Sequence, residues 1–124
     1  SHKIYYREHA KQERIRVSIW RKANPEKVNA YKATRKAAQK KVNDIHTSDD
    51  RWVLEEMYSL AKLREELFGF KWHVDHIVPL SKGGRHCLTN LQVVPEYWNL
   101  SKGNRNTDLF IGALNGEQDD KDSK

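Results

Sequence analysis

The sequence predicts an α+β fold, mostly helical: a basic N-terminal helical arm, a scaffold helix, then a small ββα unit. Three observations predict it. Charge is segregated along the chain. Helix-start signals stand at Asn24-Pro25-Glu26 and Thr47-Ser48-Asp49-Asp50. After Gly69 the helical spacing of apolar residues gives way to strand-like alternation.

Residues 3–22 read as helix, with Ile15 and Ile19 four apart and Val17 and Trp20 three apart. Asn24 as cap, Pro25 at the first helical position and Glu26 in the first turn start a second helix, reaching about Val42. Its apolar stripe is thin (Val28, Tyr31, Ala38, Val42), and Trp20 and Tyr31 are expected to pack helix on helix. A third helix runs from Thr47-Ser48 to Phe68 and is stopped by Gly69, with Val53, Met57, Leu60 and Leu67 on its apolar face. Residues 70–75 alternate as a strand, 81–84 carry turn chemistry, and 90–94 read as a second strand. Pro95 opens a closing helix to about Asn104.

Residues 1–47 hold 13 Lys and Arg against 4 Asp and Glu, whereas residues 48–69 hold 3 against 6. Large apolar residues crowd into Trp52–Leu100. The expected organisation is therefore a basic arm over 1–47, a core over 48–106 with its finger at 70–106, and an acidic, flexible tail over 107–124. A net charge of +6 points to a polyanionic partner, nucleic acid first. Mean hydropathy of −0.93 and the lack of a long apolar run exclude a membrane-spanning helix. One cysteine, Cys87, excludes an internal disulfide framework and a two- or four-cysteine zinc site, and suggests an intracellular setting. His2, His9, His46 and His86 are expected at the surface, and Cys87 as a small buried filler.

The polar residues on the ββα unit suggest chemistry. Asp75 and His76 stand together at the end of the first strand; Asn99 lies in the closing helix, with Lys102 about a turn further on. A carboxylate and a carboxamide oxygen are hard ligands, suited to Mg²⁺ or Mn²⁺. An adjacent imidazole can accept a proton from water near neutral pH. Phosphodiester hydrolysis needs both.

His73-Val74-Asp75-His76-Ile77-Val78-Pro79-Leu80-Ser81-Lys82-Gly83-Gly84, then Asn90-Leu91-Gln92, then Asn99-Leu100-Ser101-Lys102-Gly103, resembles the HNH nuclease family, with its ββα-metal finger. The resemblance covers residues 72–105, and the arm resembles that of small phage and prophage members. It implies Asp75 as first metal ligand, His76 as general base, Asn90 as the residue fixing the inter-strand loop, and Asn99 as second ligand where a His is commoner. It implies Lys102 near the phosphate, with His73 close to phosphate or metal. Pro95 and Trp98 replace the second zinc-binding cysteine pair of many members, so no structural zinc is expected, and Tyr97, Trp98 and the third helix should hold the finger by packing.

The expected function is that of a metal-dependent DNA endonuclease using one Mg²⁺ or Mn²⁺ and leaving 3′-hydroxyl and 5′-phosphate ends. Lys27, Lys32, Arg35, Lys36, Lys40, Lys41, Lys82, Arg85 and Arg105 are the expected DNA contacts. The expected setting is a bacterial or phage-infected cytoplasm, with a homodimer or phage packaging proteins as further partners. The alternative is a non-catalytic DNA-binding module or packaging component that keeps the fold.

Overall fold

Each amphipathic element must cover its apolar side, and the order of elements decides what it covers. The computed structural model describes residues 2–107 and 111. Apart from Thr107 and Ile111, the tail expected over 107–124 lies outside the described residues. The order is α1 (His2–Ala23), α2 (Pro25–Gln39), α3 (Ser48–Phe68), β1 (Trp72–His76), β2 (Leu91–Pro95) and α4 (Glu96–Lys102). The fold is α+β and mostly helical, as expected. β1 and β2 pair antiparallel, with Asp75 opposite Gln92 and His76 opposite Leu91. No described helix is long and apolar enough to cross a membrane.

Local chemistry sets the ends of α3. The Thr47 hydroxyl accepts the Asp50 N–H at 3.0 Å, which satisfies one orphan donor of the first turn. Gly69 adopts φ +79°, and its N–H donates to the Glu65 carbonyl. Between the strands, Gly84 lies against the Val78 carbonyl, where a Cβ would come within 1.9 Å of the oxygen. Only glycine lets the loop close there without a backbone shift.

The core is small. Ala30 of α2, Ile45, Leu54 of α3 and Leu91 of β2 form one buried cluster, with Met57, Tyr58, Val74 and Leu88 packed against it. Burying a side chain such as Leu54 stabilises the fold by roughly 1.5–3 kcal/mol. α2, α3 and the sheet thus share one core.

Several local expectations are corrected. α2 turns inward through Ala30, Thr34 and Ala37, not through Tyr31, which is exposed. Small side chains at one-turn intervals let it lie close on α3. α2 also ends at Gln39: Lys41 takes φ +61°, and the chain leaves extended to pair with His86. Asn24 stands at the N-cap position of α2 as expected, but its side chain makes no cap hydrogen bond there; its amide donates to the Trp20 carbonyl at 2.9 Å and closes α1. The buried positions of α3 are Leu54 and Ala61, whereas Leu60 and Leu67 are exposed. α1 buries no residue, and Trp20 is exposed. Pro95 closes β2 and precedes α4. Tyr97 is exposed and meets Phe70 edge-on, while Arg64 stacks over Trp72, 4.9 Å from the ring centroid, and donates to the Val93 carbonyl. α3 therefore grips both strands through Arg64.

Candidate active site

β1 alternates its side chains across the sheet. Val74 packs on the core, and Asp75 lies on the opposite face. There the Asp75 carboxylate meets the Lys102 ammonium at 2.9 Å. Lys102 is almost fully buried and also donates to the His76 carbonyl at 3.1 Å. Gln92, opposite Asp75 in the sheet register, donates to the same carboxylate at 3.3 Å and to the Thr107 hydroxyl at 2.8 Å.

Asn99 of α4 lies between Asp75 and His73. With its amide nitrogen toward Asp75 it donates to both carboxylate oxygens at 3.2 Å and accepts from His73 Nδ1 at 3.0 Å. With its oxygen toward Asp75 it donates to His73 Nδ1 instead, at the same 3.0 Å. The first orientation sets an N–H against the carboxylate oxygens, whereas the second turns oxygen toward oxygen, which repel. The second presents two hard oxygens to one point. His73 is held from its other side by Glu96, 3.1 Å from Nε2.

Asn90 staples the loop between the strands. Its side chain accepts the Val78 N–H at 2.8 Å and donates to the Val78 and Arg85 carbonyls at 3.0 and 2.8 Å. Its own carbonyl accepts from Ile77 N–H at 2.8 Å. Those four bonds place the segment that follows His76.

His76 is half-buried. Its Nε2 lies 3.0 Å from Nδ1 of His86, whose Nε2 lies 3.1 Å from the Thr34 hydroxyl of α2. His86 is completely buried, which corrects its expected surface position. Its backbone pairs with Val42 and Asp44, so the ring turns inward beneath α2. Burial, with His76 beside it, pushes the His86 imidazole down to about 4. Burial also lowers His76 below the usual histidine range; Asp75 pulls it up, and Lys102, Lys36 and Lys40 push it down.

Asp75, His76 and Lys102 line a cleft of about 390 Å³ whose far wall carries Lys36 and Lys40. Of the expected DNA contacts, these two face the site. Lys27 lines a different hollow, beside Tyr31 and Arg51. Lys32, Arg35, Lys41 and Lys82 are exposed on the surface. Arg85 is committed to Asp44 in a two-pronged pair at 2.6 and 2.8 Å, which lowers the Asp44 pKa. Arg105 donates to the Lys102 and Ser101 carbonyls at the end of α4. Cys87 is half-buried, 3.4 Å from the Thr89 hydroxyl.

Thr34, His86, Gln92 and Glu96 join the site without having been singled out from the sequence. The strand register would have found Gln92. Nothing in the sequence around Thr34 or His86 marks them as neighbours.

Among the described residues, no three His, Cys, Asp or Glu side chains stand within reach of one metal ion. The pair Asp75 and Asn99 still fits a hard divalent cation, because such ions take much of their shell from water and substrate phosphate. The observation behind that fit is the amide set against the carboxylate at 3.2 Å, able to present oxygen while its nitrogen is held by His73.

Residues 64–105, about a third of the chain, match the model of the HNH endonuclease family. That segment is similar to an HNH endonuclease domain, which suggests nuclease activity in general. Proteins with this domain generally use a divalent metal. No curated protein and no solved structure matches the chain significantly.

Proposed function

We propose that the chain is a metal-dependent DNA endonuclease in which His76 is the general base. The observation that carries this reading is the shared cleft: Asp75, His76 and Lys102 on one wall, Lys36 and Lys40 on the other. An acid, a base and two further ammonium groups in one groove suit a phosphodiester better than an uncharged ligand.

Asp75 and Asn99 would hold one Mg²⁺ or Mn²⁺, with Lys102 balancing part of the carboxylate's charge. When bound, the cation would neutralise charge on the scissile phosphate and the leaving oxygen. Lys36 and Lys40 bind flanking phosphate oxygens and orient the strand. His76, uncharged at neutral pH because burial lowers its pKa, takes a proton from water. The water oxygen bonds to phosphorus, the bond to the 3′-oxygen breaks, and the leaving 3′-oxygen takes a proton from solvent. The products are a 3′-hydroxyl and a 5′-phosphate. Asn90 keeps the loop beside His76 in place throughout.

The test is cleavage of supercoiled plasmid with Mg²⁺, Mn²⁺ or EDTA, wild type beside His76→Ala. We expect metal-dependent cleavage, lowered roughly 10²–10⁴-fold by the substitution. Wild-type rates in His76→Ala would remove the residue from that role. Salt-sensitive binding without cleavage in any metal would leave a DNA-binding module.

A further inference from the structure

We propose that His86 is a positioning residue for His76: its buried Nδ1 accepts a hydrogen bond from His76 Nε2–H and so leaves His76 Nδ1 as the basic nitrogen. The proposal rests on the reading of His76 as general base. Its geometry is a three-member chain, His76 Nε2 to His86 Nδ1 at 3.0 Å and His86 Nε2 to Thr34 Oγ1 at 3.1 Å. His76 Nδ1 makes no hydrogen bond to any described residue.

A contact between two neutral imidazoles can run in either direction. If His86 donated, His76 would carry its proton on Nδ1, and its only lone pair would be engaged with His86. It could not then accept a proton from water. If His76 donates, Nδ1 is open, and nothing in the pair has to move when a proton arrives there. Lys36 and Lys40 line the same cleft as His76, and their positive charge favours a lone pair over an N–H on any ring edge turned toward them.

His86 is built to stay in place. None of its surface is exposed. Its N–H donates to the Val42 carbonyl at 2.8 Å, and its carbonyl accepts from Asp44 N–H at 2.9 Å. Its pKa near 4 keeps it neutral at working pH, so one ring nitrogen always offers a lone pair. In the proposed direction, Thr34 accepts from His86 Nε2–H. The basic arm therefore reaches the chemistry through α2 as well as through its charge.

Three measurements on the full chain test this. In long-range proton–nitrogen spectra of wild type at pH 7.5, His76 should show the Nε2–H tautomer; the Nδ1–H tautomer would overturn the proposal. His86→Leu keeps an apolar side chain in the buried site but offers no acceptor. It should lower kcat roughly 10- to 100-fold, part of the range a general base supplies, with the dissociation constant for a short duplex unchanged. His86→Asn places an amide oxygen near the Nδ1 position, and should keep kcat within roughly 10-fold of wild type. Wild-type kcat in a folded His86→Leu would overturn the proposal, as would a folded His86→Asn as inactive as His76→Ala. Should His86→Leu not fold, the wild-type tautomer and His86→Asn decide. Failure of the parent reading has its own sign, wild-type cleavage by His76→Ala, and would take this inference with it.

Discussion

The Lys102 ammonium lies 2.9 Å from the Asp75 carboxylate, with the lysine side chain 1% exposed. A buried ammonium is tolerated only while its partner remains ionised and close. This pair ties α4 to the end of β1, and with it the position of both residues expected to hold a metal.

Lys102→Met keeps much of the side-chain volume and removes the charge. It leaves the Asp75 carboxylate with only the neutral donors of Gln92 and Asn99. Breaking one half of a buried pair costs about 3–5 kcal/mol, and the partial exposure of Asp75 puts this case near 3. Urea unfolding at pH 7 should show that loss. A midpoint equal to wild type would show that the pair contributes nothing net to stability.

Asn99 makes the cleaner test of metal holding. Asn99→Ala removes the amide that faces Asp75 and leaves His73 with Glu96. We expect Mn²⁺ affinity, read by calorimetry, to fall roughly 10-fold or more, and duplex affinity without metal to change little. Asn99→His should retain cleavage, because an imidazole can also serve as a ligand. Equal Mn²⁺ binding by wild type and Asn99→Ala would rule Asn99 out as a ligand.

Stability should depend on pH through His86. In the unfolded chain its imidazole has the ordinary value near 6.5, and in the fold about 4. The folded form resists the proton, so this contribution is fully present above pH 6.5 and is lost as the pH falls through about 4. The gap corresponds to about 3 kcal/mol. The lowered His76 acts in the same direction. Asp44, also lowered, acts only below its ordinary value of 3.8, so it does not confuse the window. Urea midpoints at pH 7.5, 6 and 5 should fall for wild type, and fall less for His86→Asn. Parallel profiles would show that His86 does not carry the acid limb.

How much of this was readable in the sequence depends on the range of each contact. Thr47, Gly69 and the turn glycines act within a few residues, so the ends of α3 and the ββα order could be read directly. The motif residues could be read because they cluster on one short hairpin and its helix. Gln92 was within reach, because it lies two positions beyond Asn90 and opposite Asp75. Thr34 and His86 were not, because 52 residues separate them and only the docking of α2 brings them together. The same docking misled the reading of α2. Large residues such as Tyr31 suggest the inward face, yet Ala30 and Ala37 bury themselves because close approach demands small side chains.

Truncation tests where the arm ends and the core begins. α1 buries no residue, and removing residues 1–24 takes away 7 Lys and Arg and 2 Asp and Glu. The shortened chain should keep its circular dichroism per remaining helix and its urea midpoint. Its duplex affinity should fall, and the slope of log K against log salt should become shallower, since each phosphate contact contributes close to one unit of slope. An unchanged slope would mean that α1 touches no phosphate. Removing residues 1–47 goes further: Ala30, Ala37 and Ile45 leave the buried core, Thr34 leaves His86, and Lys36 and Lys40 leave the cleft. Three buried apolar side chains and the cover over Leu54 are a large share of so small a core. We expect this chain to lose its cooperative urea transition and to expose His86 to solvent exchange. A cooperative transition at the wild-type midpoint would instead put the boundary at 47, with α2 an appendage resting on a finger that stands without it.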